Sequence, residues 1–173
     1  MRLMRRSTLL VLILSLTIAM ILTSATSAQK LNRVGKIGLS AAVQGEQMDV
    51  LVPIWASQNL ALVPSVGFAS ASDAAKDLRL GLGIRGALRS GKLAPYVGAR
   101  FQMFALMPDN GTTRTDWVVG PMFGGEYFFE EHFSVGVEAQ LNIAFSDKYS
   151  LRFGNPDGTD VNTATTVMAT FYF

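Results

Sequence analysis

Phe133-Ser134-Val135-Gly136-Val137-Glu138-Ala139-Gln140-Leu141-Asn142-Ile143-Ala144-Phe145 alternates without a slip. Every odd position is apolar and every even position is small or polar, so one face of an extended strand is greasy and the other is not. The run covers 13 residues. It suits a tilted strand crossing a lipid core, which takes roughly 9–11 residues. The chain then closes on Phe171-Tyr172-Phe173, an aromatic end in the same alternation.

Working outward from this stretch, eight segments read as strands: Val34–Val43, Met48–Ala56, Leu60–Ala69, Asp77–Leu88, Leu93–Phe104, Asp116–Phe129, Phe133–Phe145 and Asn162–Phe173. The fourth is clean, with Leu78, Leu80, Leu82 and Ile84 against Arg79, Gly81, Gly83 and Arg85. The second has no polar phase after Asp49. Pro53, Pro64, Pro95 and Pro121 each lack a ladder donor, which predicts bulges or strand ends there.

The connections alternate in length. Ser57-Gln58-Asn59, Arg89-Ser90-Gly91-Lys92 and Glu130-Glu131-His132 are tight, and so is Gln44-Gly45-Glu46-Gln47. Ser70–Lys76, Ala105–Thr115 and Ser146–Val161 are longer. Short turns at one end and long loops at the other are the asymmetry of an outer-membrane barrel. An even strand number brings both chain ends to the turn side. In a soluble barrel such as a lipocalin, the apolar phase would face inward and the other phase would meet water. Here that other phase is rich in glycine with isolated charges, which suits a crowded lumen better than a solvated face. Trp117, Tyr127, Phe129, Phe133, Phe145, Phe171 and Phe173 fall near strand ends, as interface girdles require. The expected fold is an all-β, eight-stranded antiparallel up-and-down transmembrane barrel.

The N-terminus reads as an export signal. Arg2, Arg5 and Arg6 precede an apolar run from Leu9 to Leu22 and the small residues Thr23 to Ala28. The expected division is a cleaved signal peptide over 1–28 and a barrel domain over 29–173. Three of the 15 basic residues lie in that signal, leaving 12 against 13 acidic ones. The basic balance therefore belongs to export and argues against nucleic-acid binding. There is no cysteine and a single histidine, His132, which excludes thiolate metal sites and most zinc sites. No cofactor is implied.

Pro95-Tyr96-Val97-Gly98-Ala99-Arg100, the stretch Gly120 to Phe129 (GPMFGGEYFF) and Phe133 to Leu141 resemble the small outer-membrane barrels of Gram-negative bacteria, the OmpA- and OmpX-like group. The resemblance implies outer-membrane localisation, contact with lipid and lipopolysaccharide, and delivery by barrel-assembly machinery. Val167, Phe171 and the terminal Phe173 look like the C-terminal signal that this machinery reads. It implies little about activity, because such barrels carry many functions.

The inward phase offers Lys36, Arg79, Arg85 and Arg100 as cations and Asp49, Glu126 and Glu138 as anions, with Gln102, Gln140 and Asn142 as hydrogen-bonding groups. Buried charges must be paired or solvated, and eight strands enclose room only for their own side chains. The expectation is a closed, ion-paired lumen in which Arg100 pairs with Glu126 or Glu138. A selective pore lined by arginines is the alternative. His132-Phe133-Ser134 resembles the histidine and serine of outer-membrane lipid A deacylases, but His132 sits in a turn on the wrong side and Glu138 is not matched in position. Asp157 and Asp160 lack the spacing of a calcium loop. Neither a catalytic nor a metal site is expected. The last loop is expected to expose Tyr149, Leu151 and Phe153 to a partner or to lipopolysaccharide headgroups. The resulting reading is a structural or surface-interaction barrel; a small porin comes second and a lipid A-modifying enzyme third.

Overall fold

The computed structural model describes residues 31–71, 75–108 and 111–173; the export signal expected over 1–28 lies outside them. The strands are β1 (Gly38–Gln44), β2 (Gln47–Leu51), β3 (Ile54–Trp55), β4 (Leu60–Ala71), β5 (Ala75–Ala87), β6 (Leu93–Pro108), β7 (Arg114–Phe128), β8 (Phe133–Phe145) and β9 (Thr159–Tyr172). β2 and β3 are two halves of one strand. Against β4, Leu51 faces Ser65 and Ile54 faces Leu62, so the register continues unchanged across Val52-Pro53. The result is eight antiparallel strands in chain order, closed by β1 on β9, where Gly38 faces Tyr172 and Val43 faces Val167. Closure leaves no open edge.

The prolines do not produce bulges. β4–β5, β6–β7 and β7–β8 each hold one register along their length. Pro53 breaks its strand and Pro121 lies in a gap in the pairing with β8, while Pro64 and Pro95 sit within ladders. A proline removes one donor, but its φ is compatible with an extended chain, so the strand loses a bond and keeps its count. The outer ends of the strands are longer than the alternation suggests. Leu106 faces Arg114 and Ala75 faces Pro108, so main-chain pairing runs on where the side-chain pattern has ended. The first strand begins later, because Arg33 to Lys36 form a turn in which Gly35 has φ 77°.

Accessibility alternates with the sequence. Along β8, Phe133, Val137, Leu141 and Phe145 are exposed, and Ser134, Gly136, Glu138, Gln140, Asn142 and Ala144 are buried. The exterior is an apolar belt, which makes sense only against lipid. Phe133 to Phe145 spans roughly 40 Å along the strand, or roughly 30 Å after tilt, enough for a hydrocarbon band of about 25 Å and its margins. At the turn end, Phe129 packs on Tyr127 and Phe133 at centroid distances of 5.1 and 5.7 Å, and Phe171 on Phe173 at 5.2 Å. At the loop end, Phe101 stacks on Trp117 at 5.3 Å.

Candidate functional site: the barrel lumen

Because strands alternate, the inward residues of all the strands meet along one axis, and three layers result. At the turn end the plug is mostly apolar: Leu31, Trp55, Ala61, Ala87, Ala94, Phe128 and Tyr172 pack together. Arg33 is 2% exposed within it. Its guanidinium lies 4.9 Å from the Trp55 ring centre and 4.8 Å from that of Phe128, and it donates to the carbonyls of Arg89 and Gly91 at 3.4 and 3.2 Å. Burial pulls the Arg33 pKa below its ordinary value, and the field of Glu126 opposes this.

The middle layer centres on Arg85. Its Nη1 donates to Glu126 Oε1 at 3.3 Å, and its Nη2 donates to Glu138 Oε2 at 2.9 Å. Tyr96 and Tyr172 hydroxyls donate to Glu138 and Glu126, each at 2.8 Å. Ser134 donates to Glu126 at 3.3 Å and Gln140 to Glu138 at 2.7 Å. The guanidinium also lies 4.7 Å from the centre of the Tyr96 ring. Both carboxylates are thus held by a cation and by neutral donors, the condition under which buried charge is tolerable. Glycine makes the room: a Cβ on Gly124 would lie 2.8 Å from the Tyr96 hydroxyl.

The outer layer is a chain of charges. Arg79 Nε donates to Asp49 at 2.8 Å and its Nη1 to Asp77 at 3.1 Å. Arg152, from the last loop, donates to Asp77 at 2.6 Å and lies 3.5 Å from Asp116. Gly67 is required here, since a Cβ would overlap Asp49 Oδ1 and come within 2.7 Å of the Arg79 guanidinium. Between the two charged layers is a cavity of about 40 Å³ lined by Arg100, Gln102, Asp49, Glu138 and Gln140 among others.

Arg100 does not take the partners its sequence position suggests. Arg85 occupies both glutamates, while Arg100 Nη2 donates to Gln102 Oε1 at 2.5 Å. Arg85 lies opposite Gly98 on β6, level with the glutamates; Arg100 sits one inward step further out on the same strand. Gln102 in turn donates to Asp49 at 3.3 Å. Lys36 is at the turn-side rim, 3.9 Å from Glu131, apart from these layers. Asn142 donates to Asn162 at 3.1 Å, next to Gln140 on β8. Sequence reasoning missed Arg33 and Arg152, which lie in connections where alternation carries no phase, and passed over Asp77 and Asp116, the first residues of their expected strands, although they share the inward phase of Arg79 and Glu126.

His132 and Ser134 are not brought together. His132 Nδ1 donates to the Tyr172 carbonyl at 2.9 Å and its ring stacks on outward-facing Phe171, whereas Ser134 is buried in the lumen beside Glu126. No group of three or more metal-ligating side chains occurs among the described residues. Phe153 is also not free: it packs edge-on against Phe104 at 5.8 Å, leaving Tyr149 and Leu151 as the exposed apolar residues of the last loop. Val167, Phe171 and Phe173 all face outward.

No family model and no curated protein matches this sequence. Solved structures do match in shape. The crystal structure of Neisserial surface protein A aligns with a TM-score of 0.53 at 13% identity, covering 80% of this chain and 94% of that one. The N-terminal β-barrel domain of Pseudomonas aeruginosa OprF aligns with a TM-score of 0.47 at 16% identity, covering 80% and 96%. The first of these likenesses, at this identity, shows the fold alone, and together with the closed strand order it makes this chain an all-β, eight-stranded antiparallel barrel.

Proposed function

We propose that the protein is exported to the outer membrane and serves there as a non-enzymatic structural or surface-interaction barrel with a closed lumen. The observation that carries this reading is the layering of the interior: an arginine-filled apolar plug, the Arg85–Glu126–Glu138 cluster and the Asp49–Arg79–Asp77–Arg152 chain follow one another along the axis. The cavity left between the charged layers has room for only a few waters. Function then rests on the loops, which a rigid frame presents outward. Exposed Tyr149 and Leu151, beside Lys148, are the surface offered to lipopolysaccharide or an external partner. The outward phase of Val167, Phe171 and Phe173 is consistent with reading by assembly machinery before closure. The separate partners of His132 and Ser134 support the non-enzymatic reading.

The test is single-channel recording of the refolded chain from residue 29 onward in a planar bilayer, with insertion verified by heat-dependent gel mobility. A silent, inserted barrel is the expected result. Stable, reproducible conductance steps would replace this reading with that of a small pore, for which Arg100 facing the cavity is the favouring observation.

A further inference from the structure

The two mouths of the lumen are closed by different means. At the turn end, Arg33 is enclosed by two rings and two carbonyls within an apolar cluster. At the loop end, the closure is the connection between β8 and β9, a segment that is folded on itself. Its main chain bonds internally: Ser146 N to Gly158 O, Ser150 N to Asp147 O, Gly154 N to Leu151 O and Asp157 N to Asp147 O. Among the described residues, its polar hold on the rest of the barrel rests on two carboxylates. Asp116 on β7 accepts from Asp147 N at 2.8 Å and from Ser150 Oγ at 2.6 Å. Asp77 on β5 accepts from Arg152 Nη2 at 2.6 Å. Beneath Arg152 and Phe153 lie Phe104, Val118 and Ala144, all buried.

The side chains of the loop divide between two faces. Ser150, Arg152 and Phe153 turn toward the lumen, and Tyr149 and Leu151 turn away. A unit that satisfies most of its own backbone can leave the barrel with little main chain stranded, Asp147 N on Asp116 being the one such bond among the described residues, so its removal costs mainly side-chain contacts. Those contacts are the partly hydrated Arg152–Asp77 pair, which is the weaker kind, the hydrogen bonds to buried Asp116 and the packing of Phe153 on Phe104. The turn-end plug offers no such easy release.

We propose that the β8–β9 loop is a releasable outer lid pinned by Arg152, so that the lumen opens to the loop side alone while Arg33 keeps the turn side shut. This rests on the closed-lumen reading above. Opening would expose the Arg79–Asp77–Asp116 layer and, below it, the cavity beside Arg100.

The chain has no cysteine, so a single introduced thiol reports on the lid. Val118→Cys places a smaller side chain under Phe153, at a site 1% exposed. The probe is the neutral reagent methyl methanethiosulfonate, applied to the refolded protein in lipid nanodiscs, with compact gel mobility confirming the fold. Slow reaction is expected with the lid intact. Adding Arg152→Gln or Asp77→Asn should speed it about tenfold, and adding Arg33→Gln should leave it within about twofold. Raising salt to about 1 M should speed the reaction of the lid-intact protein, a readout that needs no lid variant. Equal slow rates in Val118→Cys with and without the lid substitutions, and at both salt levels, would overturn the lid. So would an equal acceleration by Arg33→Gln. Rapid reaction with the lid intact would instead overturn the closed lumen itself.

Discussion

Arg85 and Glu138 are 53 residues apart in the chain and meet inside the barrel, Arg85 Nη2 lying 2.9 Å from Glu138 Oε2 with both side chains almost wholly buried. The same guanidinium also serves Glu126, so one cation neutralises part of two carboxylates, and tyrosine hydroxyls complete their hydrogen bonding. Removing the cation strands both anions. Arg85→Met should therefore cost roughly 3–5 kcal/mol of unfolding free energy, the range for breaking a buried pair from one side. Arg100→Met should cost roughly 1 kcal/mol or less, because Arg100 gives its direct bond to a neutral amide. Urea titration of the two variants in the same lipid, followed by tryptophan fluorescence, checks the order; a larger loss at Arg100 would contradict the assignment of partners.

Arg100 Nε and Gln140 Oε1 are buried without a hydrogen-bond partner among the described residues, and both side chains line the central cavity. A donor and an acceptor facing one polar space of about 40 Å³ call for an amphoteric guest, which favours water over an anion beside Glu138 and Asp49. A high-resolution crystal structure should show ordered water bonded to each. Density for a bromide soaked in at this place would argue for an anion instead.

The glycines of the inward phase differ in what they tolerate. At Gly67 a methyl group would fall on the Asp49 carboxylate and the Arg79 guanidinium. At Gly83 the nearest atom is the flexible end of Met122, at 3.3 Å. Gly67→Ala should destabilise by roughly 1–3 kcal/mol by displacing a charged pair, and Gly83→Ala by clearly less. Denaturant midpoints at constant slope distinguish them, and equal shifts would show that local crowding does not decide the outer layer.

If the apolar exterior meets hydrocarbon, a charge there should cost according to depth. Ala139 is at the middle of β8 and faces outward, whereas Phe133 begins the strand within the aromatic cluster. Ala139→Arg should cost roughly 2–4 kcal/mol in lipid, against roughly 0–1 kcal/mol for the charge at position 133, to which loss of ring packing is added. The comparison with Phe133→Ala isolates that second part. A charge penalty independent of depth would contradict a membrane-spanning β8.

Sequence alone determined the strand number, the closed antiparallel order and which face of each strand turns outward. It could do so because a period of two is a local property: Leu80, Leu82 and Ile84 declare their side of the sheet without reference to any other strand. The second strand was harder, since Val50 to Trp55 has no polar phase, and only the unbroken register across Pro53 joins its halves. Tertiary structure alone decided who pairs with whom. Arg85 and Arg100 are alike in residue type and inward phase, yet strand stagger sets Arg85 level with both glutamates and leaves Arg100 to Gln102, its neighbour two residues on along the same strand. It also brought in Arg33 and Arg152, whose positions in connecting segments follow from packing against Trp55, Phe128 and Phe104 and from ion pairing with Asp77, not from any repeat in the sequence. Alternation fixes a side chain's face; its height within the lumen depends on how the strands are staggered around the closed barrel.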